Sequence, residues 1–427
     1  MREIRKIVKS CLLCTFIVLI QPKLFAQETL ALEDAYALVE NNYPLAGQRQ
    51  LNTQLSEINQ QLLDKERFPV VRAKAEGTLQ SDNISLAGDL PFGLDLPLES
   101  YKAYLDINYS LYDGGIVKAQ RELEEAQLNV TQQNLEVRLR TLKDRVNQLF
   151  FAIQLSRQQQ QLLSTSINDI ETNMATMKAG LANGVVLESE VAKLQVRKLE
   201  LQSDSVKLLG DVKAYFSVLE RLTGKSLSTT TELKLPNMTL SELDTAITRP
   251  EQQLYQFQQE LIRAKEATIS ADKRPKLMLF AQGGIGYPNP LNFPDISNSL
   301  YALGGLRLDW KLIDWGKANR EREKLQVQVL ESEADRKTFE FDITSQQREY
   351  MEKVVALRVQ LENDQQIVTL QQQILEQTEV QLQEGVINSN DYLIQVNAEL
   401  AAKQKLELHK VQLQQLQITY LTLIGKL

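Results

Sequence analysis

Residues able to move protons, attack substrates or bind metals are scarce in this chain and fall into no working group. Its one histidine, His409, has no second histidine with which to share a metal, and the spacing reads it as a solvated or seam residue. Both cysteines, Cys11 and Cys14, lie in the first 26 residues. The sequence contains no phosphate-binding glycine loop and no cluster of carboxylates at metal-ligand spacing. An enzyme is therefore not expected, and no cofactor or metal site is assigned.

The elements that remain point to a passive structure. Arg2, Arg5, Lys6 and Lys9 precede an apolar run from Cys11 to Ile20, and Leu24-Phe25-Ala26 offers a cleavage point. Residues 1–26 thus read as a signal peptide for export. Removing their net +4 takes the chain from −7 to −11, which argues against a nucleic-acid partner. Downstream no 18-residue apolar run occurs, so membrane insertion must use strands rather than helices.

Helices are the dominant expectation. Lys317 to Glu384 contains neither glycine nor proline, and Val354, Leu361, Val368, Leu375 and Leu382 recur at every seventh position. That is the coiled-coil repeat. Unbroken, such a helix would be about 100 Å long. Ile116 to Ala179 is equally uninterrupted and carries two seven-residue lines. One is Leu128, Leu135, Leu142, Leu149, Leu163, Ile170 and Met177; the other is Val146, Ile153, Ile167, Met174 and Leu181. Two lines imply neighbours on both sides, as in a ring of helices. A third set of heptads, Leu187 to Leu222, follows the turn at Gly184.

The chain is also written twice. Leu111-Tyr112-Asp113-Gly114-Gly115 matches Leu312-Ile313-Asp314-Trp315-Gly316 at an offset of 201, and the same offset carries Gly184-Val185 onto Gly385-Val386 and Gly224-Lys225 onto Gly425-Lys426. Repeat 1 spans 27–225, with a helix, a β-hairpin at 69–113, a long helix at 116–181 and a helix at 185–222. Residues 226–247 form a linker. Repeat 2 spans 248–427, with a helix, a β-hairpin at 275–314, a long helix at 316–384 and a helix at 386–424.

The strands alternate strictly. Tyr101, Ala103, Leu105, Ile107, Tyr109 and Leu111 share one face, opposite Lys102, Tyr104, Asp106, Asn108 and Ser110. Leu300, Ala302, Gly304, Leu306, Leu308, Trp310 and Leu312 repeat that face in the second half. Period two over about ten residues is the pattern of a transmembrane strand, and Tyr109 and Trp310 fall at matched positions suited to an aromatic membrane girdle. A half-buried soluble sheet alternates in the same way, but these hairpins join long helices with no other core to cover them. Four strands leave two open edges, and unpaired backbone in hydrocarbon costs several kcal/mol per group. The chain must therefore oligomerise into 8, 12 or 16 strands.

These residues resemble the bacterial outer-membrane efflux proteins of the TolC type across nearly all of the chain after residue 26. The resemblance rests on Leu32-Glu33-Asp34-Ala35 through Asn41-Asn42-Tyr43-Pro44, Leu111-Tyr112-Asp113-Gly114-Gly115, Leu222-Thr223-Gly224-Lys225 and Thr248-Arg249-Pro250-Glu251. It implies a mainly α fold with a membrane β-barrel portion: a homotrimer sharing one twelve-stranded barrel in the outer-membrane bilayer, continued by a periplasmic α-barrel of helical hairpins. An equatorial layer is implied for 226–247 and the chain ends. The implied function is a passive conduit for small molecules in a tripartite efflux system, with a periplasmic adaptor and an inner-membrane transporter of the RND or ABC type. A duct for type I protein secretion and a non-conducting envelope tether are the alternatives.

The resemblance also gives the two tight turns a role as periplasmic tips. Gly184, Val185, Gly385 and Val386 become adaptor-contact candidates. The acidic residues six positions after each turn glycine, Glu190 and Asp391, become candidates for a pore constriction. The same residues also suit plain architecture, glycines for positive φ in a helix hairpin and acids for capping helix starts. Two positions depart from the family pattern: Ile394 stands in place of a second carboxylate, and Ile387 in place of an arginine.

Overall fold

The computed structural model describes residues 28–82, 97–236, 246–292 and 295–427. The leader at 1–26, much of the first hairpin loop and part of the 226–247 segment lie outside them. The chain divides into two compact units, each drawing on both repeats: one takes in Pro44–Arg140 and Ala246–Gln346, the other holds the rest.

The first unit is built on a four-stranded antiparallel sheet. Its strands are β2 (Val70–Leu79), β3 (Glu99–Tyr112), β5 (Lys276–Tyr287) and β6 (Ser299–Asp309), in the order β2-β3-β5-β6. The two hairpins meet where β3 pairs with β5, Tyr101 opposite Tyr287 and Asn108 opposite Phe280. This leaves β2 and β6 as the outermost strands. Helices α2 (Gln48–Lys65) and α5 (Pro250–Asp272) lead into the hairpins. Leu254 and Leu261 of α5 pack on Ala126 and Val130, in the early turns of α3 (Ile116–Ala182).

The sheet is turned inside out relative to a soluble one. Its apolar face is the exposed one: Val71, Leu105, Ile107, Leu279, Ile285, Leu300, Leu306 and Leu308 all present their side chains outward. Its polar face is the knitted one. Lys74 Nζ donates to Asp106 Oδ2 at 2.6 Å, and Gln282 and Asn108 each donate to the same carboxylate at 3.1 Å. Lys102 pairs with Glu76 at 2.8 Å, and Tyr104 Oη donates to Glu76 at 2.7 Å. Asp106 is buried despite its charge, which requires such partners.

Glycine makes room on that polar face. Tyr104 and Tyr301 meet in a tilted pair with ring centroids 6.4 Å apart, and both flank Gly284 on adjacent strands. A Cβ at Gly284 would lie 2.5 Å from Tyr104 Cα, so no side chain fits there.

The second unit is helical. It contains β1 (Thr29–Ala31) and β4 (Glu232–Lys234), paired in parallel, and α1 (Leu32–Asn42). The later part of α3, the later part of α6 (Lys317–Gln383), α4 (Glu188–Thr223) and α7 (Ser389–Ile424) complete it. The heptad lines mark the packed sides. Leu163, Ile170 and Met177 of α3, Leu194 and Leu201 of α4, and Leu382 of α6 share one core with Tyr392, Val396 and Leu400 of α7. Among the described residues no helix is long and apolar enough to cross a membrane.

Replacing Gly284 with valine is expected to destabilise the sheet by about 1–3 kcal/mol, the usual cost of overpacking. The check is the thermal melt of the detergent-solubilised protein, with Gly283→Val as control, since Gly283 lies on the open outer face with only Tyr301 O near, at 3.9 Å.

Candidate functional site: two helix-hairpin tips and an apolar belt

The tips form because each long helix ends in the same way. Gly184 N–H donates to Leu181 O at 3.0 Å and Val185 N–H to Gly180 O at 3.0 Å; Gly385 N–H donates to Leu382 O at 3.1 Å and Val386 N–H to Gln381 O at 2.8 Å. Paired 5→2 and 6→1 bonds of this kind close a helix through a left-handed residue, here the glycines at φ 73° and 71°. The chain then turns over Val185 and Val386, which are 79% and 73% exposed. Four adaptor-contact candidates thus sit at two tip surfaces, with Leu187 also exposed beside the first.

The two acids have different surroundings. Asp391 is exposed on the first turn of α7. Glu190 is drawn inward: Lys193 Nζ pairs with it at 2.8 Å, and its Oε2 accepts the Ser389 backbone N–H at 2.9 Å. A side chain of the first tip therefore caps the helix that opens the second, 199 residues away. Asn388 adds its own cap, accepting from the Asn390 and Asp391 N–H groups at 2.8 and 3.1 Å. The Lys193 ammonium, with the Ser389 donors behind it, holds the Glu190 carboxyl below its ordinary value despite an opposing desolvation.

Beneath the tips lies a buried polar contact that spacing alone does not reveal. Asn173 Nδ2 donates to Tyr392 Oη at 2.6 Å and to Glu379 Oε1 at 2.5 Å, joining α3, α7 and α6. Burial raises the Tyr392 hydroxyl well above its ordinary pKa, so it stays neutral. Farther along the same helices His409 Nδ1 meets Asp364, which also faces Lys405 at 3.5 Å. His409 is thus a seam residue with a carboxylate partner. Asp364 has a legible signal, since Leu357, Asp364, Gln371 and Thr378 form a second seven-residue line on α6. Among the described residues no group of histidine, cysteine and carboxylate side chains could hold a metal.

The motifs that carry the family resemblance have structural work. Asn42 Nδ2 donates to the carbonyls of Arg221 and Leu222 at 3.2 and 3.1 Å, closing α4 where Gly224 turns left-handed at φ 66°. Asp113 accepts from Gly115 N–H at 2.8 Å and Val117 N–H at 3.0 Å to start α3, and Asp314 repeats this for Gly316 and Ala318 at 3.1 and 3.2 Å to start α6. Arg249 pairs with Glu251 beside Pro250, the first residue of α5, and lies over the Phe339 ring at 5.2 Å.

At the helix-proximal end of the sheet the two girdle candidates stand apart in exposure. Tyr109 lies half-buried beside Phe68, Ile107 and Leu279, whereas Trp310, just past β6, is exposed. Leu312, Ile313 and Trp315 continue the exposed apolar stretch, Trp315 at φ 53°. A left-handed backbone costs an ordinary residue about 1–2 kcal/mol.

Residues 37–225 match the model of the family described as outer membrane efflux protein. No curated protein sequence matches the chain. Similar solved structures include CusC, described through its transmembrane channel formation, at 15% identity and TM-score 0.66 over 92% of both chains. VceC from Vibrio cholerae matches at 13% identity and TM-score 0.65 over 92% of this chain and 96% of that one. The open state of the MtrE channel of Neisseria gonorrhoeae matches at 14% and 0.61 over 92% and 88%. These likenesses establish a shared fold over almost the whole described chain.

Replacing Glu190 with alanine is expected to cost the tip about 1–2 kcal/mol through loss of a charged cap. The readout is the hydrogen-exchange protection factor of the Ser389 amide. Because the folded Glu190 pKa is depressed, its stabilisation is complete above the unfolded value of about 4.3 and fades as pH falls through the folded value. Ser389 protection should therefore drop with acidification in the parent and show no such step in Glu190→Ala.

Proposed function

We propose that this chain, whose residues 37–225 match the outer membrane efflux protein family, is one of three identical subunits of an outer-membrane efflux duct. The observation that carries the reading is the sheet with its apolar face outward and its charges paired inward. In water such a face would be covered; in a bilayer it meets hydrocarbon while the charged face lines an aqueous lumen.

Three copies bring twelve strands, and each β2 finds its missing neighbour in the β6 of the next copy. A heterologous contact of this sort closes into a ring. Exposed apolar stripes on the helices support the same assembly. Leu51, Leu55, Ile58 and Leu62 run along α2 in the sheet-bearing unit. In the helical unit Val355, Val359, Ile367, Leu370 and Ile374 run along α6, and Val196, Leu199, Val206 and Leu209 along α4. Three- and four-residue steps of this sort are what a neighbouring helix would cover.

The activity follows as passive transfer. Small molecules delivered by an inner-membrane transporter, of the RND or ABC type, enter through a periplasmic adaptor that grips the tips at Gly184, Val185, Gly385 and Val386. Threefold symmetry gathers three Asp391 carboxylates at the entrance, where like charges repel one another and attract cations. Glu190, held by Lys193 and Ser389, braces that entrance.

Single-channel recording in planar bilayers tests the duct, since a folded oligomer that gives no conductance steps removes it. Asp391→Asn is expected to keep the channel open and lower its preference for cations over anions several-fold, read from the reversal potential in a salt gradient. An unchanged potential would take Asp391 out of the constriction.

A further inference from the structure

We infer that Asp364 and His409 are a positioning pair, whose contact holds α6 and α7 in one axial and rotational setting and, through it, sets the second tip. The contact lies within one chain, so assembly with other copies neither makes it nor hides it. Its bearing on conduction rests on the duct reading; the seam itself does not.

The seam reads layer by layer. Leu357 of α6 and Leu416 of α7 line one cleft of about 490 Å³, together with Gln360, Gln412 and Thr419. Seven residues onward along α6 and seven back along α7 stand Asp364 and His409, the order antiparallel helices impose. His409 Nδ1 meets Asp364 Oδ2, and Lys405, one turn earlier on α7, faces the same carboxylate at 3.5 Å. One further step places Gln371 and Ala402 at matching positions. The Gln371 side-chain carbonyl is buried with no partner among the described residues.

Apolar packing is therefore thin on both sides of the pair. One side is an open cleft, and the other offers an amide and a methyl group. Non-directional contacts of that kind let one helix roll or slide on the other. A buried carboxylate does not. Asp364 is buried, and a setting that carried it away from His409 would leave it only the Lys405 ammonium, on a side chain 58% exposed.

α6 also offers a rival setting. Its line Val354, Leu361, Val368, Leu375 and Leu382 stands three positions from the line of Asp364, a rotation of about 60°. Hydrophobic burial alone would accept either line against α7. Polar groups placed at packed helix positions are the device that selects one register over its rivals, at a cost in stability. The only histidine of the chain is thus spent on choosing a geometry. Between His409 and Asp391 α7 has neither glycine nor proline, so a setting fixed at the pair is carried about 27 Å to the tip.

No cysteine follows residue 26, so introduced pairs report without background. Gln360→Cys is combined with Gln412→Cys, which matches the observed setting, or with Thr419→Cys, two turns farther along α7. A short bis-maleimide is applied to the full-length oligomer in detergent. Denaturing electrophoresis separates intrachain products from interchain dimers, and mass spectrometry counts them. The parent is expected to favour the Gln412→Cys product several-fold. With Asp364→Leu and His409→Leu together, the melting temperature should hold or rise while that preference falls toward equality. Exchanging the pair, Asp364→His with His409→Asp, should restore the preference, because Lys405 still lies one turn from the carboxylate.

A double-leucine protein that keeps the preference overturns the proposal. So does one that melts well below the parent or fails to assemble, since the pair would then stabilise the fold rather than choose its setting. An exchanged pair that does not recover the preference overturns it too. Cross-links are read whether or not the oligomer conducts. The expected pattern in a protein without conductance steps removes the duct and leaves the pair its role, whereas a conducting parent with an unaltered pattern in the leucine variant removes this inference alone. In conducting protein the leucine variant should scatter single-channel conductance over several levels, which the exchange gathers back into one. A single level in the leucine variant overturns the link from the pair to the tip.

Discussion

Backbone hydrogen bonding at the rims of the sheet governs everything else in this molecule. A strand with a neighbour on one side has half its main-chain groups unpaired, and hydrocarbon offers them nothing. β2 and β6 occupy those rims, so a chain with four strands cannot live alone in a bilayer. The remedy is assembly, and the apolar stripes along α2, α4 and α6 extend the need for neighbours from the strands into the helices. The polar side of the sheet has already met its own needs within the chain. Asp106 has Lys74, Gln282 and Asn108, and Glu76 has Lys102 and Tyr104. In the proposed assembly, what the subunit lacks is covered by copies of itself and by lipid.

The two repeats solve the same geometric problems with different side chains. Asp113 and Asp314 start their long helices with the same pair of bonds. The residue after each aspartate has diverged: Gly114 meets Ala271 and Arg274, whereas Trp315 is exposed in the single chain. The tips diverge too. The second has Asn388 as a cap of its own and borrows Glu190 as well, while Leu187 at the corresponding position of the first offers no side-chain cap.

Much of the fold class was legible in the residues because it depends on short-range spacing. Seven-residue lines in α3 and α6 name the packed sides directly; even Ser156, which fills the gap between Leu149 and Leu163 in the first line of α3, is buried. Alternation in β3 separates the exposed face from the face around Asp106 for the same reason. Contacts that join distant segments leave no such trace. The parallel pairing of Thr29–Ala31 with Glu232–Lys234 involves strands too short for a period to register. The tie from Glu190 to Ser389 and the bond from Asn173 to Tyr392 depend on which helices lie side by side. The residues around the tip glycines were readable as types, since positive φ needs glycine, whereas the unequal surroundings of Glu190 and Asp391 were not.

The β3–β5 pairing, where one repeat's hairpin is stitched to the other's, has a consequence for assembly. Each repeat carries two strands, so six unfused repeats would supply the same twelve as three duplicated chains. In the proposed ring, covalent fusion makes every second seam intramolecular, and those seams form at a rate that no dilution can slow. Only the remaining three depend on encounters between subunits. Fusion also releases alternate positions around the circumference of such a ring from being identical.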